Sequence, residues 1–81
     1  MEAAKSAVAR SVLSPRIAEA VRLSRMRKRF TQAALADASG VSLATIIQIE
    51  NEGMLPSITT LAAIAAACKI TLSSLLKRAS L

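Results

Sequence analysis

From residue 17 onward, apolar side chains recur at intervals of three and four, and residues that start or stop helices interrupt them at short distances. Ile17, Ala20, Val21 and Ser24 make one stripe that continues to about Lys28. Ser14-Pro15 ahead of it reads as a helix start, with Ser as the cap and Pro in the first helical position. Residues 1–13 have no comparable period and read as an N-terminal arm, either mobile or a frayed helix. Thr31 caps a second helix over Gln32 to Ser39, with Ala34, Leu35 and either Ala36 or Ala38 facing inward, and Gly40 ends it. Val41 turns into the core, and Ser42 caps a third helix from Leu43 to about Asn51. Gly53 and Pro56 mark the loop that follows. Ser57 caps a fourth helix over Ile58 to Cys68, with Leu61, Ile64 and Ala65 inward. Thr71 caps a fifth from Leu72 to about Arg78, where Leu72, Leu75 and Leu76 close the core.

The pattern predicts an all-α domain of five short helices over residues 14–78, with a tail at 79–81 and no internal repeat. Composition agrees: 53% of residues are hydrophobic, many of them Ala, and Phe30 is the one aromatic. Small side chains favour short helices in close approach over a bulky β core. With no His and Cys68 as the one cysteine, the chain has no internal disulfide, and no metal site is expected. The acids are scattered, and neither a nucleophile elbow nor a phosphate loop is present, so neither enzymatic activity nor a cofactor is expected. The most apolar run, Ile58 to Cys68, is about half the ~20 residues a membrane span needs. A free thiol fits a reducing compartment, and a cytoplasmic location is the expectation. Eleven Lys and Arg against five acids give a net charge of +6, which suits a polyanionic partner, nucleic acid or an anionic membrane surface. Plain solubility charge is the alternative.

The run from Thr31, TQAALADASGVSLATIIQIENEGMLPS, and the run from Leu61, LAAIAAACKITLSSLL, together resemble the Cro/CI-type (Xre, lambda-repressor-like) helix-turn-helix family in order and spacing, over roughly residues 16–77. The residue types have physical reasons. Ala36, four before Gly40, lets helices two and three cross closely, and Gly40 permits the positive φ of the turn between them. Val41, Ile46 and Ile49 anchor the third helix, so that its other face projects from a fixed base. An α-helix fits the major groove, and its N-terminal residues reach base edges. The resemblance makes residues 31–53 the helix-turn-helix unit and double-stranded DNA the partner. It implies that Gln32 contacts a phosphate or supports a base-reading side chain, a solvated Gln being the alternative. It puts Ser42, Leu43, Ala44, Thr45 and Gln48 on the reading face. There Thr45 donates to phosphate, Gln48 pairs with adenine, and Leu43 and Ala44 touch thymine methyl groups. Main-chain amides near Asn51 and Gly53 would meet the DNA backbone. Arg25 and Glu50 match a partly buried, structural salt bridge between helix one and the end of helix three.

The chain departs from the family pattern in three places. Arg29 and Lys69 stand where Gly is usual, and in left-handed geometry each costs roughly 1 kcal/mol relative to Gly. The reading helix is also unusually apolar: Leu43 and Ile47 are expected outside, and no basic residue lies between Arg29 and Lys69. Two function classes follow. One is a sequence-specific regulator, a repressor acting as a homodimer on a two-fold symmetric operator, with Leu72 to Leu81 and the N-terminal arm as candidate dimer surfaces. The other is an antitoxin or anti-activator that grips a protein, such as a toxin, through its apolar surfaces, with or without DNA.

Overall fold

A computed structural model describes the backbone from Glu2 to Leu81 and the side chains from Val8 onward. Five helices follow one another: α1 (Glu2–Arg27), α2 (Gln32–Ser39), α3 (Leu43–Glu52), α4 (Ile58–Ala67) and α5 (Leu72–Arg78), with no strand among the described residues. Four of them begin with the same device. The side-chain oxygens of Thr31, Ser42, Ser57 and Thr71 accept from the amides of Ala34, Thr45, Thr60 and Ser74, each cap residue lying in extended backbone. Each satisfies one of the amides that a helix start leaves orphaned, a contribution of about 1 kcal/mol.

The start of α1 differs from the sequence expectation. The helix runs straight through Ser14 and Pro15 instead of beginning there. Ala3, Ala4, Ala7 and Ala9 are strong helix formers, and they extend the helix ahead of the proline. Pro15 cannot donate to the carbonyl four residues back, but Pro15 and Ser11 are both solvent-exposed, so water can satisfy that carbonyl. The Ser14 hydroxyl is no cap; it is buried without a hydrogen-bond partner.

Helix ends depend on left-handed residues. Gly40 closes α2 at φ +73°, and a Cβ added there would meet nothing within 4 Å, so the backbone angle alone calls for glycine. Arg29 (φ 58°) and Lys69 (φ 61°) adopt the left-handed geometry that their places in the pattern suggested, and Ser80 (φ 62°) adds a third case. Behind each, an amide reaches back five residues: Phe30 to the Arg25 carbonyl at 3.2 Å, Ile70 to Ala65 at 3.0 Å, and Leu81 to Leu76 at 3.0 Å. These bonds satisfy carbonyls that would otherwise hang free at the helix end.

The core lies where α1 packs on α3 and α5, α2 packs on α3 and α4, and α4 meets α5 at 97°. Val21, Leu35, Ile46, Ile49, Ile64 and Leu75 are sealed at its centre, each contributing about 1.5–3 kcal/mol through removal from water. Phe30, Ala36, Val41, Leu72 and Leu76 cover its edges. One alternative is resolved and one expectation corrected. Ala38 faces solvent, so of the two candidates Ala36 joins Leu35 on the inner face of α2. Ala79, assigned to the tail, is buried in the core. Among the described residues no single helix is long and apolar enough to cross a membrane.

Two measurements follow. Lys69→Gly should raise stability by about 1 kcal/mol, or about 4–8 °C in Tm for a domain of this size, whereas Gly40→Ala should lower it by a similar amount. A thermal melt in which both variants match the parent would remove the role assigned to the left-handed positions. Cys68 is buried, and desolvation raises its thiol pKa above the ordinary value, with Lys28 and Arg78 opposing the shift. The neutral thiol is thus favoured in the native state, and this contribution is present below the unfolded thiol pKa and lost as pH rises through the folded one. At pH 8 a thiol reagent should label the native protein slowly and the urea-unfolded protein at once.

Candidate nucleic-acid interface

α3 is fixed from one side only. Ile46 and Ile49 are fully buried and Glu50 nearly so, while Ser42, Leu43, Ala44, Gln48 and Asn51 are exposed. A pitch of 3.6 residues separates the two sets: positions 46, 49 and 50 share one face, and 44, 48 and 51 the other. Ile47, expected outside with Leu43, is half-buried. It lies about 100° around the helix from Ile46, at the edge of the packed stripe. The apolar character of the reading face is therefore concentrated in Leu43, 42% exposed, and the methyl of Ala44.

The polar groups of this face are in different states of use. The Ser42 hydroxyl caps α3, accepting from the Thr45 amide at 3.1 Å, and donates to the Thr45 hydroxyl at 2.8 Å. The proton on the Thr45 hydroxyl stays available for an outside acceptor. Gln48 makes no side-chain hydrogen bond among the described residues, which leaves its amide free to offer a donor and an acceptor together. The backbone beyond α3 is less available than its sequence suggested. The amides of Gly53 and Met54 both donate to the Gln48 carbonyl, Met54 at 3.0 Å.

Behind the face lies a hydrogen-bonded knot. Arg25 Nε donates to Glu50 Oε2 at 2.8 Å, and Nη2 to Oε1 at 3.0 Å, so the planar guanidinium grips both carboxylate oxygens. Its third nitrogen, Nη1, donates to the Phe30 carbonyl at 2.8 Å, which ties in the chain entering α2. Arg22, which the sequence reading missed, donates through Nη2 to the Glu50 main-chain oxygen at 2.8 Å and pairs with Glu19 at 3.3 Å. Its signal was its place three residues before Arg25, on the same side of α1. Gln32 Nε2 donates to Asn51 Oδ1 at 3.1 Å and lies 3.4 Å from Glu50 Oε1, so this side chain joins the start of α2 to the end of α3. The hydrogen bonds that Arg25 donates to Glu50 raise the Arg25 pKa above its ordinary value, with burial opposing. The guanidinium is thus charged at every accessible pH.

Charge is distributed unevenly around this site. Between Thr31 and Gly53 the chain carries Asp37, Glu50 and Glu52 and no Lys or Arg. The positive groups flank the unit in sequence: Arg27, Lys28 and Arg29 at the end of α1 are exposed, as are Lys69 after α4 and Lys77 on α5.

The comparisons with known proteins agree with this architecture. A helix-turn-helix family model, HTH_3, matches residues 16–75, and the chain belongs to that family. Among solved structures, an HTH_3 family transcriptional regulator from Vibrio cholerae superposes with a TM-score of 0.74 at 29% identity, over 80% of this chain. The chain covers 36% of that regulator's length. No curated protein matches it.

The knot yields a stability prediction. Arg25→Met leaves the Glu50 carboxylate, whose side chain is 1% exposed, with only its weaker partners. It should cost about 3 kcal/mol or more. In urea unfolding, Arg25→Met with Glu50→Leu should cost less than the sum of the single changes by over ~1 kcal/mol. Strict additivity of the two would show that the pair is not coupled.

Proposed function

We propose that the protein is a sequence-specific DNA-binding regulator that lays the N-terminal half of α3 in the major groove. The observation that carries this reading is the pairing of a sealed inner face, Ile46, Ile49 and Glu50, with an outer face whose polar groups at Thr45 and Gln48 are free to bond outward. A helix held so firmly presents its side chains at a fixed depth and angle, which base-edge recognition requires. Gln48 suits adenine, whose N6 amino group donates to its amide oxygen and whose N7 accepts from its amide nitrogen. Thr45 suits a phosphate oxygen, and Leu43 and Ala44 suit thymine methyl groups. Gln32 and Asn51, bonded to each other, brace the flank of this face. Ser42 acts chiefly as the cap that starts the helix.

One domain of this kind reads a few base pairs, so we assign a homodimer on an operator whose half-sites lie about 10 base pairs apart. Apolar side chains left on the surface support self-association: Val8, 63% exposed, and Val12, 44%, on the first half of α1, and Leu81, 50%, at the C-terminal end. Repression by blocking a promoter is the simplest outcome for such a dimer. The protein-gripping alternative rested on a patch formed by Leu43 and Ile47, and half-burial of Ile47 reduces that patch to one side chain.

A gel-shift series on DNA selected from a random pool tests the reading. The parent should bind with affinity falling steeply as salt rises. Gln48→Ala should cost about 1–3 kcal/mol on the selected site and relax the preference at one position. A parent that binds no DNA even at low salt, or a Gln48→Ala variant with unchanged preference, would overturn it.

A further inference from the structure

The charge distribution raises a question that the helix-turn-helix unit cannot answer by itself. DNA affinity comes largely from cations set against phosphates, yet residues 31–53 hold three acids and no base. In the DNA-binding reading the loop after α3 faces the duplex backbone, but the Gly53 and Met54 amides are both engaged with Gln48. A cation beside that loop must therefore come from another part of the chain.

α1 brings one there. The family match begins at residue 16, so the first half of α1 lies outside the matched segment. It leaves the core at Ser14, whose Cβ would lie 3.7 Å from a Cβ placed on Gly53. Arg10 stands one helical turn earlier, on the same side of α1 as Ser14. It lines a surface pocket with Glu52, Gly53, Met54 and Leu55, the start of the α3–α4 loop. Arg10 is exposed and forms no ion pair among the described residues, Glu52 included. We infer that Arg10, presented by the N-terminal extension of α1 beside the α3–α4 loop, contacts a DNA phosphate and supplies positive charge that the reading unit lacks.

This inference rests on the DNA-binding reading above. It assigns the extension a role in binding, with Arg10 as a phosphate contact at the rim that carries no base preference of its own. Glu52, exposed in the same pocket, opposes the approach of a phosphate, and Arg10 offsets it locally. A guanidinium suits the task because it stays charged and presents a planar fork of donors to phosphate oxygens.

The test uses the full chain and a random-sequence duplex of about 30 base pairs, titrated at several salt concentrations by fluorescence anisotropy. Losing one phosphate contact should lower the slope of log Kd against log salt by about 0.9, and binding at low salt should weaken several-fold on every sequence tried. Arg10→Gln should show that loss, Arg10→Lys should restore most of it, and Lys77→Gln, on α5 and outside that pocket, should change the slope less. Circular dichroism and melting of Arg10→Gln should match the parent, because Gln is as good a helix former as Arg. A parent that binds while Arg10→Gln keeps the full slope overturns the Arg10 assignment and leaves the DNA-binding reading standing. A parent that binds no duplex overturns both.

Discussion

The bond between Arg25 and Glu50 sets the geometry on which the rest of the molecule depends. A carboxylate at the end of α3 is taken almost wholly out of water, an arrangement that is stable only with a charged partner in good geometry. Arg25 meets that condition with two parallel bonds and uses its remaining nitrogen on the Phe30 carbonyl, just ahead of α2. One guanidinium thus relates α1, α2 and α3. Ile46 and Ile49 supply most of the burial energy, but apolar contacts are non-directional and would tolerate some rotation of α3 about its axis. The bidentate pair, with Arg22 on the Glu50 carbonyl, does not.

That arrangement also explains which parts of the structure were legible in the sequence. The four hydroxyl caps and Gly40 are local: each needs only a side chain and the next three amides, so composition at those positions was sufficient. The inward stripes of α3 and α4 were legible for the same reason, being one face of a regular helix. The start of α1 was not. Ser14-Pro15 has the form of a cap, and the choice between cap and interior turned on whether the alanines upstream would extend the helix past an exposed proline. Ala38 shows the limit of periodicity in an alanine-rich segment, where the inner and outer faces contain the same residue, and Ala79 lies just past the last residue of α5, where the helical period no longer assigns a face. At the site, Arg25 and Glu50 were legible through the family resemblance, whereas Arg22 bonds to a main-chain oxygen, and its place one turn before Arg25 was the sole hint of that contact. The Gly53 and Met54 amides gave no such hint, because their engagement depends on how α3 ends.

The reading face and the charged groups divide the labour of binding unusually. In the helix-turn-helix unit, methyl groups and one free Gln face outward, and the only charges are acidic. Cations lie on neighbouring elements, at the close of α1 and on its extension. In the proposed role, attraction to phosphate and discrimination among bases fall to separate parts of the chain, joined through α1. In that role, exchange of Leu43 or Gln48 bears on which sequence is preferred and leaves the charged groups untouched.

Arg29, Lys69 and Ser80 end three helices in a backbone conformation that glycine adopts more easily. All three are exposed, and none takes part in the knot behind α3. Each is a place where the chain sits somewhat above its attainable free energy, and where a single replacement can recover part of the difference. A lineage that altered its reading helix at some loss of stability would have three independent surface positions through which to regain it. The ends of α1, α4 and α5 thus give the fold mutational robustness, a capacity to accept change on the exposed face of α3 without rebuilding its core.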